Sequence, residues 1–202
     1  MKAYQALPEG YHEILRMDLQ KNKKDALIIN GIGLAVMLIM GVGMHFAVPV
    51  TEIFDLEDGL GAYVLRFAVM CAGYAAYIVL HELTHAAAMK AVGGGKVRFG
   101  FTGLYAFAGS ETDWFDKGAY RLIALAPLVV WGVIFGVLQG LVPRPWFWVI
   151  WLWQIGNVSG AAGDVYVTVR LWPKPRDILV RDTGVAMTVC GTVRTAENPS
   201  AV

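Results

Sequence analysis

Four long apolar runs dominate the chain, set apart by polar stretches. The first, Leu27–Val48, reads LIINGIGLAVMLIMGVGMHFAV; the others cover about 63–92, 119–142 and 146–171. Crossing the hydrocarbon core of a bilayer takes about 20 mostly apolar residues in a helix, and each run reaches that length. The pattern predicts an all-α membrane protein with four transmembrane helices. The first run is not a cleavable signal peptide, because its polar leader is long and no small-residue cleavage site follows. Within that leader, EGYHEILRMDLQKNKKD (9–25) reads as a surface helix along the membrane. After the second run Gly93–Gly95 stop the helix, and KVRFGFT alternates with Val97, Phe99 and Phe101 on one side. A turn at Gly103 into LYAFA would complete a short β-hairpin over 97–108. The tail, 172–202, is polar again. No internal repeat divides the sequence, so 1–202 reads as a single membrane-embedded domain.

Composition agrees with this reading. The chain is 56% hydrophobic and 16% charged, where a soluble domain carries about 25% charge. A net charge of +1 gives no reason to expect nucleic acid as a partner. The two cysteines, Cys71 and Cys190, form no disulfide framework and read as free thiols. Lysine and arginine set the expected orientation. With four spans, all seventeen except Arg66 and Arg144 fall on one side, which places both termini and the hairpin segment in the cytoplasm. The aromatic run PRPWFWVIWLW suits the outer interface. The remaining histidines read plainly, His45 as interfacial and His12 as part of the leader, and Pro127 is expected to kink the third span.

The second run carries the chemistry. In YIVLHELTHAAAMKAVGGG (77–95), His81 and His85 stand four apart and share one helix face, where two imidazoles can hold one metal. Glu82 is adjacent, placed to act as a base on metal-bound water. Ionisable groups inside a span are costly there, which favours a functional role over a pair of helix-to-helix hydrogen bonds. A catalytic zinc takes three protein ligands and leaves one position for water. The longer metzincin motif would need glycine at 88 and histidine at 91, and the chain has Ala88 and Ala91. Two carboxylates remain for the third ligand: Glu111 in AGSETDWFD and Asp164 in the fourth run. Depth favours Asp164. His81 and His85 lie roughly 8–14 Å below the cytoplasmic end of their span, and Asp164 roughly 9 Å below its own, at 1.5 Å per residue. Gly156, Gly160 and Gly163 around it would let helices approach closely. Asn157 lies two turns before Asp164 on the same face, free to hydrogen-bond substrate, a ligand, or a neighbouring helix.

HELTH in one span, with an Asp in a later span of the same direction, resembles the site-2 protease group of intramembrane zinc metalloproteases. The likeness is closer to small bacterial four-span membrane proteins classed as putative zincin peptidases, in which the HExxH helix, a GD in the last span and a tail similar to DILVRDTGVAM occur together. It covers about 60–190. It implies one zinc per chain on His81, His85 and Asp164, with Glu82 as base, and a membrane-associated or transmembrane protein as substrate. Site-2 proteases usually carry a Pro-containing Asn…Asp-Gly motif; here Val165 follows Asp164 and no proline stands between it and Asn157. By analogy with that group the 97–108 hairpin would offer an edge to an extended substrate. The competing reading is a non-hydrolytic membrane metal-binding protein, a transporter or sensor, and Glu82 argues against it, since a carrier has no use for a base beside its first ligand.

Overall fold

The computed structural model describes residues 1–18, 21–103 and 105–192; Leu104 and Arg194, used above, lie outside them. The chain divides into two compact units: Met1–Ile29 with Glu82–Ala126 and Gly163–Val202, and Asn30–His81 with Pro127–Ala162.

The first unit contains strands β1 (Ala3–Tyr4), β2 (Tyr11–Asp18), β3 (Arg98–Phe101), β4 (Ala106–Gly109), β5 (Trp114–Asp116), β6 (Leu179–Asp182) and β7 (Ala186–Thr192). Five form one antiparallel sheet in the order β1-β5-β6-β7-β2, while β3 and β4 pair as a separate hairpin. The all-α expectation is therefore wrong, and the protein is mixed α and β. The leader is the clearest correction. Residues 11–18 are a strand along β7, from Tyr11 opposite Thr192 to Asp18 opposite Ala186, and not a surface helix. A bulge between Glu13 and Leu15 breaks the period-two pattern that would have announced it. Aromatic and β-branched side chains then fill the sheet's inner face: Phe115, Val180 and Val189 are fully buried, together with Tyr120 and Leu171.

The described residues also form five α-helices: α1 (Lys23–His45), α2 (Leu60–Ala91), α3 (Lys117–Leu141), α4 (Phe147–Gly160) and α5 (Ala162–Leu171). Three of them, α1, α2 and α3, are long and apolar enough to cross a membrane. The fourth expected span is two pieces of 14 and 10 residues that meet at Ala161, so the count of four transmembrane helices is also corrected. GNVSGAAG explains the break. Each glycine costs a helix about 0.8–1 kcal/mol relative to alanine, and hydropathy does not register that loss. Helix α2 ends in a Schellman motif: Gly93 has φ +90°, and the N–H groups of Gly93 and Gly94 donate to the carbonyls of Lys90 and Met89 at 3.0 and 2.9 Å.

In the second unit, Tyr77, Phe135 and Ile150 form a core with Trp131 and Trp153 around it. Glycines set how closely the helices pack. A Cβ at Gly73 would overlap the Trp153 ring, one at Gly156 would overlap Tyr74, and one at Gly33 would stand 3.1 Å from the Ser159 carbonyl oxygen. Gly140, by contrast, faces open space. Gly73→Ala should therefore lower stability by about 1–3 kcal/mol through overpacking, while Gly140→Ala leaves it unchanged or slightly raised. Denaturant unfolding of both variants in detergent checks this; equal effects would refute the packing account.

Candidate metal centre

The sequence around His81 favours a helix, with Leu80, Glu82, Leu83 and Ala86–Ala88 all good helix formers. His81 and His85 sit one turn apart on α2; His85 is buried and His81 half-buried. Asp164 comes from the first turn of α5, where the positive end of the new helix favours a carboxylate. His81, His85 and Asp164 each offer one ligand atom, and these atoms lie within 4.8 Å of one another.

The hydrogen positions follow from two backbone carbonyls, which can only accept. His85 Nδ1 lies 2.9 Å from the Ile123 carbonyl oxygen, so that nitrogen carries a proton, and in the neutral ring the lone pair is on Nε2. His85 Nε2 faces the Asp164 carboxylate, with Oδ2 at 3.6 Å. The second chain starts at Leu128, whose carbonyl accepts from Asn157 Nδ2 at 3.1 Å. Asn157 Oδ1 then accepts from the Tyr77 hydroxyl at 3.0 Å. Having given its one proton away, the Tyr77 oxygen accepts from His81 Nδ1–H at 2.9 Å. His81 therefore also keeps its lone pair on Nε2. Both imidazoles are ready to ligate through Nε2, each with its other nitrogen held by a donor–acceptor partner, the usual arrangement of metal-bound histidine.

The donor set fits zinc. Two donors at about 2.0–2.1 Å from one tetrahedral ion stand about 3.3–3.4 Å apart, close to the His85–Asp164 separation. Two neutral imidazoles and one carboxylate leave a position for water, and nitrogen with oxygen suits this ion.

The other candidates resolve by placement. Glu82 is half-buried and follows His81 on α2. Glu111 is exposed and forms an ion pair with Arg98 away from the group. Asn157 is fully buried in α4, and the break at Ala161 separates it from Asp164, so the two do not share one helix face. His45 accepts a hydrogen bond from the Val50 N–H at 3.0 Å, and His12 lies on β2. Tyr77 was not singled out from sequence, although its position four before His81 carries that signal. Asp182 was missed as well. It is half-buried in β6 and accepts from the Tyr120 hydroxyl at 2.6 Å and the Gly184 N–H at 2.7 Å. Burial raises its pKa above 3.8, with those two hydrogen bonds pulling the other way.

The chain belongs to the family described as "putative zincin peptidase", whose profile matches residues 74–179, just over half of its length. That membership implies a metallopeptidase, with zinc as its metal. The matched stretch runs from α2 to the start of β6 and contains all the residues of the group above. No curated protein and no solved structure matches the chain.

Purified protein should hold one zinc per chain; His81→Ala, His85→Ala and Asp164→Ala should each lose it, and Glu111→Ala should keep it. Metal analysis decides, and zinc retained in Asp164→Ala would move the third ligand elsewhere. A second outcome concerns pH. A carboxyl with a raised folded pKa favours the fold when protonated, and that advantage is lost as pH rises from 3.8 through the folded value. The stability of zinc-free wild type relative to Asp182→Asn should fall across this window and then level off; a difference that grows with pH would reverse the assignment.

Proposed function

We propose that the protein is a membrane-embedded zinc metallopeptidase that hydrolyses peptide bonds near the cytoplasmic face, in the manner of site-2 proteases. The observation that carries this reading is the convergence of His81, His85 and Asp164, with Glu82 next to the first ligand, in a chain of zincin membership. Membrane residence is supported by apolar surface that only lipid would cover. The apolar window of α1 has no buried residue, and Ile39 on α1 and Val133 on α3 are 72% and 62% exposed. The charge bias of the sequence supports cytoplasmic termini.

His81, His85 and Asp164 would hold the zinc, which when bound supplies Lewis acidity and makes water nucleophilic near neutral pH. Glu82 accepts the proton of the attacking water as its oxygen bonds to the substrate carbonyl carbon. It then passes that proton to the amide nitrogen as the C–N bond breaks, so that an amine leaves and the water's second proton goes with the new carboxylic acid, which gives it up to solvent. Tyr77 and Asn157 keep the His81 ring oriented and do not touch substrate. The substrate is a membrane-associated or transmembrane protein, unwound near the site because a helix hides its carbonyls. The β3–β4 hairpin, with Phe99 half-exposed and Phe101 exposed, suits such an extended segment as an added strand.

Glu82→Gln keeps the shape and cannot take the proton. It should retain zinc and fold while losing at least about 10²–10⁴-fold in cleavage. The measurement is cleavage of a membrane-tethered test protein, with zinc determined on the same samples. Equal cleavage by Glu82→Gln and wild type would rule out this mechanism.

A further inference from the structure

Helix α3 carries Pro127 in its apolar interior. In a regular helix the N–H of residue 127 donates to the carbonyl of residue 123. Proline has no N–H, so the Ile123 oxygen lacks its helical donor. Ile123 is 2% exposed, and no bulk water reaches its surroundings to replace that donor. The donor comes instead from α2: His85 Nδ1–H at 2.9 Å. A kink is the usual account of an intrahelical proline, and here its chemistry has a second result.

We infer that Pro127 is a positioning residue of the metal centre. By removing the competing N–H it keeps the Ile123 carbonyl open for His85, and so holds that ring as the Nδ1–H tautomer with Nε2 toward Asp164. With an ordinary residue at 127, the carbonyl would already be engaged along the helix axis. Its second lone pair would then be a poorer acceptor for His85, and the ring would lose its fixed tautomer and angle. The role at His85 matches the one Asn157 and Tyr77 have at His81, although the means differ. One ligand is oriented by a side-chain relay, the other by a deleted backbone donor. This inference rests on the zinc reading proposed above.

The test compares full-length wild type, Pro127→Ala and Pro127→lactic acid in detergent. Lactic acid has alanine's side chain on an ester link, so it lacks the N–H just as proline does. By chelator competition, Pro127→Ala should bind zinc about 10-fold more weakly, at the low end of the loss for such supporting partners, and Pro127→lactic acid should return to within about twofold of wild type. Equal weakening of both variants would make the ring or the kink responsible and overturn the inference; so would a Pro127→Ala affinity equal to wild type. A second readout needs neither zinc nor a variant. Ring-nitrogen NMR shifts of metal-free wild type should show a proton on His85 Nδ1, and a bare Nδ1 refutes the proposal. Wild type that binds no zinc would overturn the metallopeptidase reading instead, leaving the tautomer measurement to decide the role of Pro127.

Discussion

Two carbonyl oxygens on α3, those of Ile123 and Leu128, constrain everything around the histidines. A carbonyl cannot donate, so each one dictates the direction of the hydrogen bonds that lead away from it. The constraint is stiff because the surroundings are apolar. An imidazole in water can exchange one partner for another at little cost, whereas a buried one that loses its partner leaves a polar atom unanswered. The Nδ1 protons of His81 and His85 are thus fixed before any metal arrives. Preparation of this kind turns two histidines on a helix into a chelating site.

The break at Ala161 makes the third ligand possible. A continuous fourth helix would place Asn157 and Asp164 two turns apart on one face, with the same surroundings. Separated at Ala161, they serve different ends. Asn157 is wholly buried and uses both ends of its amide within the protein, while Asp164 opens a new helix and presents a half-buried carboxylate. A break in a helix is tolerated where the protein encloses the freed backbone groups. The buried Ala161 and Ala162 meet that condition.

The candidate site was legible in sequence because its signals are local or singular. A spacing of four puts His81 and His85 on one face, and Asp164 is the one carboxylate in its apolar run. The sheet was not legible, since its evidence is pairing between residues far apart, such as Tyr11 with Thr192, and its strand β2 is disguised by a bulge. The broken fourth helix was hidden for another reason: glycine counts as apolar enough for a span while weakening the helix within it. Tyr77 could have been found by spacing alone. The acceptor for His85 could not, because it is main chain and its availability depends on what residue 127 lacks.

The pairing of β2 with β7 also sets an order of events during synthesis. The leader strand leaves the ribosome before its partner, Ala186–Thr192, which follows only after all five described α-helices. Ile178, Val180, Met187 and Val189, which fill the core beneath the sheet, arrive with that same tail. Until then the leader has neither a strand to pair with nor a core to cover, and closing so long a loop is intrinsically slow. Assembly of this unit therefore waits for the last-made segment of the described chain.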